Sequence, residues 1–149
     1  MFELMKQLDA LWDKAYDKCN RFYEEYERGY EELENEPFDC ELSSARIRRI
    51  EGGDGVAIDY SAAHIYDACV SHRCGPYDEE EVDVERAYAR CREACLEDAE
   101  SYAKSVIDEY RRAVERWAKR RGVAYAEELK RDELNFTLII RLHPAAVGP

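Results

Sequence analysis

The chain has 149 residues, 46% of them apolar and 38% charged, with a formal net charge of -12. That is enough to bury a substantial core in a single domain, 1–149, and it is too apolar for a disordered polymer. The negative charge disfavours a general nucleic-acid coat, which needs clustered Lys and Arg against phosphate, and no apolar run approaches the roughly 20 residues that span a bilayer.

Leu4, Leu8, Leu11, Ala15, Cys19, Phe22, Tyr26, Tyr30 and Leu33 recur at steps of three and four, which predicts an amphipathic helix over about 3–34, ended near Pro37. Asp9, Asp13 and Asp17 fall within this stretch, and no basic region, apolar block or cleavage site of a signal peptide is visible. The segment 41–60 reads as a β-hairpin, because EGGDG supplies turn glycines and Val56, Ile58 and Tyr60 alternate after it. Residues 62–72 read as a short helix stopped by Gly75-Pro76. A second long helix is expected over 79–121, with Asp78 or a neighbour as its cap and Gly122 just past its end. Its stripe runs through Val84, Tyr88, Cys91, Cys95, Ala99, Tyr102, Val106, Tyr110, Val114 and Trp117. A short helix is expected over 124–133, followed by a strand over 135–143 that joins the hairpin in a small sheet. The fold class is therefore α+β and mostly helical, a long antiparallel helical hairpin with a small antiparallel sheet.

Three Asn, one Gln and one Thr stand against sixteen Arg. Many charges with few thermolabile amides is a composition expected of a hyperthermophile, or of a virus infecting one. This bears on the six cysteines, Cys19, Cys40, Cys69, Cys74, Cys91 and Cys95. Intracellular disulfides are unusual except in hyperthermophiles, so the expected location is the cytoplasm or a virion, with the cysteines acting as staples.

Cys91 and Cys95 lie at i and i+4, with Cβ atoms about 5–6 Å apart on a helix. A disulfide needs about 3.8 Å, so each must find a partner elsewhere. Packing the long helices antiparallel with Leu33 opposite Val82 sets Cys19 opposite Cys95 and predicts a Cys19–Cys95 bond. Cys91 is left for Cys40, Cys69 or Cys74. The alternative is a zinc or iron–sulfur site built from Cys69, His72, Cys74, Cys91 and Cys95. Its Cys-x4-Cys and Cys-x3-Cys spacings differ from the tight Cys-x2-Cys knuckle.

No catalytic residues are assigned. His64, His72 and His143 are the only histidines, none lies in a nucleophile motif, and EGGDG lacks the phosphate-binding Gly-x4-Gly-Lys pattern. Partner contacts are expected instead. Trp12, Tyr16 and Tyr23 flank the first helix, either exposed for binding or covered by neighbouring elements. Arg111, Arg112, Arg116, Lys119, Arg120 and Arg121 form a basic end of the second long helix. Residues 104–121 hold seven bases and three acids, whereas 21–41 hold nine acids and two bases, and 78–100 ten acids and three bases. A bipolar molecule of this kind favours self-association or a protein partner, with nucleic-acid binding at the basic end as a further alternative.

Overall fold

The computed structural model describes residues 2–25 and 37–143. Its elements in chain order are α1 (Phe2–Glu25), α2 (Phe38–Leu42), β1 (Arg46–Arg49), β2 (Gly55–Ser61), α3 (Ala63–Arg73), α4 (Val84–Arg121), β3 (Tyr125–Asp132) and β4 (Asn135–Leu142). The architecture is the predicted mostly helical α+β arrangement. Expectations for Tyr26, Tyr30 and Leu33 lie outside the described residues.

The helices α1 and α4 run antiparallel, with Glu3 near the start of one ion-paired to Arg121 at the end of the other. Leu4, Leu8 and Ala15 of α1 are buried, as are Ala99, Ala103, Val106, Ile107 and Tyr110 of α4. α4 opens five residues later than predicted. Asp78 instead caps a preceding turn, accepting from the Glu80 amide at 2.9 Å, and Asp83 accepts from the Arg86 amide as the true N-cap. At the far end Gly122 takes the left-handed conformation, φ 65°, as a residue without Cβ can at little cost.

The sheet has strand order β1-β2-β4-β3, every neighbouring pair antiparallel. Val56, Ile58 and Tyr60 pair with Ile140, Leu138 and Phe136, and this buried row forms the face that packs beneath α4. On the opposite face Asp59 accepts from Arg48 at 2.7 Å and from Thr137 at 2.8 Å, tying three strands together. Burial raises the Asp59 pKa, but these hydrogen bonds and the charges of Arg48 and Arg46 outweigh it and hold the carboxyl below its usual range. Gly55 is required where β2 begins, because a Cβ there would lie 2.4 Å from the Ile140 carbonyl oxygen.

The expected helix over 124–133 is instead the strand β3. AEELKR is a run of good helix formers, yet propensity differences are tenths of a kcal/mol per residue. The open side of β4 offers a ladder from Tyr125↔Leu142 to Asp132↔Asn135, closed by a two-residue loop in which Glu133 takes φ 55°. Tertiary pairing overrides local preference.

A buried hydrogen bond ties α4 to the end of α2: the Tyr110 hydroxyl, fully buried, donates to the Leu42 carbonyl at 2.6 Å. Tyr110→Phe leaves that carbonyl without this donor and is expected to cost about 1–2 kcal/mol in urea unfolding. Burial first, and the nearby Asp9 second, push the Tyr110 phenol above its ordinary value. The folded state thus holds this proton more tightly than the unfolded chain, whose tyrosines titrate near pH ~10. Its contribution is intact below that pH and is lost as pH rises above it. The stability lost between about pH 8 and about pH 11 should accordingly be smaller in Tyr110→Phe than in the wild type.

Candidate functional site

All six cysteines are paired, as Cys19–Cys40, Cys69–Cys95 and Cys74–Cys91. The expected Cys19–Cys95 bond does not form. Matching the two long helices left out the short ones. α2 folds onto α1 and brings the Cys40 Cα within 4.8 Å of that of Cys19, while α3 lies along α4 and presents Cys69 to Cys95. The i, i+4 inference holds, since Cys91 and Cys95 bond to separate partners. Cys91 takes Cys74, one of the three candidates left open.

The two bonds to α4 are nested: Cys69 of α3 meets the later cysteine of α4 and Cys74, just past the end of α3, meets the earlier one, so the segments are antiparallel and clamped about one turn apart. None of the residues of α3 is buried, and on α4 burial begins only at Cys95. Apolar packing therefore supplies little adhesion over residues 84–94, and the covalent links take its place. An exposed ion pair, Arg73 to Asp98 at 3.2 Å, adds a weak third contact.

The two bonds lie against each other, with the Sγ atoms of Cys74 and Cys95 3.9 Å apart and those of Cys74, Cys91 and Cys95 all within 4.8 Å. The ligand zinc takes from cysteine is a thiolate, so these sulfurs fit the ion only after both bonds are reduced. Of the predicted metal set, Cys69 and His72 lie outside this group of three mutually close sulfurs, Cys69 bonded to Cys95 alone and His72 exposed on the rim of a neighbouring cleft.

That cleft, about 360 Å3, lies between α2, α3 and α4, walled by Phe38, Ile65, Ala68 and Tyr102 and by the Cys69 bond. At its side sits Glu41, 4% exposed, whose Oε1 accepts from the Tyr60 hydroxyl at 2.7 Å and lies 2.7 Å from His64 Nε2. Reasoning from sequence alone assigned Glu41 no role. Its signal is faint, an acid set between the two buried residues Cys40 and Leu42. A carboxylate that orients an imidazole can hold or move a proton. Nucleophilic catalysis needs a further group, and the thiols are all committed to disulfides. Ser105, also lining the cleft, donates to the Ser101 carbonyl within its own helix.

The predicted partner surfaces are separate from the cleft lining. Trp12 stacks on Tyr16 with centroids 5.1 Å apart, and its indole donates to the Ala45 carbonyl at 2.9 Å. Tyr16 is 46% exposed and Tyr23 41%, so both present substantial aromatic area on α1. The basic end is less uniform than its sequence suggests. Arg111 bonds both Asp108 and Glu127, Arg112 lies 3.6 Å from Glu109, and Arg121 pairs with Glu3. Arg116, Lys119 and Arg120 are exposed and make no ion pair among the described residues.

No helix among the described residues is long and apolar enough to cross a membrane. Neither a family model, a characterised protein nor a solved structure matches the chain.

The pairing is directly testable, because trypsin cutting after Arg73, Arg90 and Arg92 leaves Cys69, Cys74, Cys91 and Cys95 in four different peptides. Non-reduced digests should yield linked peptides for 69–95 and 74–91, and none for 19–95. Each bond contributes about 3 kcal/mol in the chain-entropy account. Replacing Cys69 and Cys74 by Ser should speed amide exchange over 84–94 while leaving 103–118 protected. Unchanged protection at 84–94 would show that packing, not the bonds, holds the segment.

Proposed function

We propose that this protein is a non-catalytic assembly protein, a disulfide-stapled scaffold that binds protein partners. The observation that carries this reading is the aromatic face of α1. Trp12 is fixed by its stack with Tyr16 and its bond to Ala45, Tyr16 is exposed in that stack, and Tyr23 is exposed about two turns further along a helix crosslinked through Cys19. Tyrosine and tryptophan give large contact area at low entropy cost and are enriched in interface anchors. A rigid helix carrying them is pre-organised, which reduces the ordering penalty of association.

The charged groups contribute selectivity more than affinity. With half the basic end internally paired, the exposed cations are Arg116, Lys119 and Arg120. That weakens the nucleic-acid alternative, since a net charge of -12 already repels phosphate at long range. The amide-poor composition and the three disulfides fit an intracellular protein of a hyperthermophile or a viral protein made in one.

A second reading, a zinc site in the reduced protein, draws on the sulfur cluster. A tetrahedral ZnS4 site with Zn–S bonds of about 2.3 Å separates sulfurs by about 3.8 Å, close to the 3.9 Å between the unbonded Cys74 and Cys95 sulfurs. Reduction of both bonds by a phosphine would give four thiols, which zinc binds with release of their protons. Competition with a chromophoric chelator, before and after reduction, reads this directly.

The assembly reading is tested by light scattering coupled to size-exclusion chromatography over a concentration and salt series, and by crosslinking in lysate of the source cells. Tyr16→Ser and Tyr23→Ser together are expected to weaken an association through α1 at least tenfold, about 1.4 kcal/mol. Contacts that survive both substitutions with unchanged affinity count against this face.

A further inference from the structure

We infer that β3 is a self-complementary edge through which two copies of this chain pair into one continuous sheet. The strand is the outermost of its sheet, and seven of its eight residues are exposed. Its outward N–H and C=O groups are a template for another strand. Charges on such edges usually prevent pairing, but here their order is Glu127, Glu128, Leu129, Lys130, Arg131, two acids and two bases mirrored about a leucine.

Geometry limits how two such edges can meet. Outward-pointing backbone groups alternate along a strand, so only residues of equal parity face each other when identical edges pair antiparallel. The two-fold axis must then pass through a residue. Placed at Leu129, it sets Glu128 opposite Lys130 and Glu127 opposite Arg131, each twice, with Leu129 against its own copy. Shifting the axis to Glu128 or Lys130 sets that charge against itself. Like charges directly opposite destabilise a pair and unlike charges stabilise it, so among these three central registers the one at Leu129 is favoured.

The two faces of β3 are distinguishable. Glu127 and Arg131 point toward α4, where Arg111 and Glu100 bond them, and Leu129 lies beside buried Leu138 while remaining 44% exposed. The Leu129 pair would therefore extend the apolar row beneath α4. Glu128 and Lys130 lie on the opposite face, exposed and without ion pairs among the described residues. They can be changed without disturbing an internal contact.

The inference rests on the assembly reading above but uses a different surface. Light scattering or sedimentation of the intact protein should show a dimer whose dissociation constant rises with salt. Glu128→Lys sets lysine opposite lysine twice and should weaken the dimer at least tenfold, and Lys130→Glu should do the same with acids. The double swap, E128K with K130E, re-creates complementary pairs and should restore the dimer. An equimolar mixture of the two single variants should form heterodimers more tightly than either forms homodimers. Thermal unfolding at constant ionic strength, unchanged within the monomers, excludes misfolding as the cause. A monomeric wild type at high concentration and low salt overturns the inference, as does a double swap no stronger than the singles. A dimer insensitive to E128K but lost with Tyr16→Ser overturns this edge and leaves the α1 reading standing. Rescue by the double swap, with no effect of Tyr16→Ser on any association, supports this edge and removes the α1 reading.

Discussion

The length of α4 sets the terms for everything packed against it. Thirty-eight residues rise about 57 Å, while the longest strands have eight residues and extend only about 26 Å. A sheet of that size, with α1 alongside, can cover only part of the helix. Burial accordingly runs from Cys95 to Ala118 and is absent before it. Residues 84–94 include no fully buried residue, so apolar area contributes less there. The nested pair of disulfides sits at this boundary, Cys95 fully buried and Cys91 half-buried.

This division explains why α3 tolerates a surface-like sequence. Its apolar contact is modest, with Ile65 and Tyr66 half-buried against the core and no residue fully buried, and short helices are marginal alone in water. Two covalent bonds to α4 remove most of its freedom without demanding an apolar stripe. They also shape the cleft, since α3 is kept close enough for Ile65, Ala68 and Tyr102 to form one wall. Glu41, brought in by α2, then reaches His64 from across the gap. Burial of that carboxyl side chain is compensated by the Tyr60 hydroxyl, which donates to it, and by its contact with His64 Nε2, as a buried polar group requires.

Electrostatics is organised at two scales. In the sequence the charges segregate into acidic and basic blocks, which suggests a bipolar molecule. In the fold several of the bases turn back on acids from other elements, Arg111 on Glu127 of β3, Arg121 on Glu3 of α1, and Arg131 on Glu100 of α4. Exposed pairs of this kind contribute little stability each, yet they orient long side chains and decide which charges remain for partners. On α1, Tyr16 and Tyr23 remain exposed outside these pairs.

Periodicity and turn glycines determined the two long helices, the turn at EGGDG, the alternation of β2 and β4, and the position of Gly122, because each depends on neighbours within a few residues. The helical spacing also showed that Cys91 and Cys95 cannot bond each other. Three things were decided by tertiary structure. AEELKR became a strand because an open ladder on β4 outweighs a weak local preference. Cys19 paired with Cys40 because α2 docks on α1, a contact no periodicity encodes. Glu41 became the anchor of His64 because two segments distant in sequence enclose it together. Patterns of repeat are local and can be read from the chain, whereas pairing partners and burial arise only once distant segments share space.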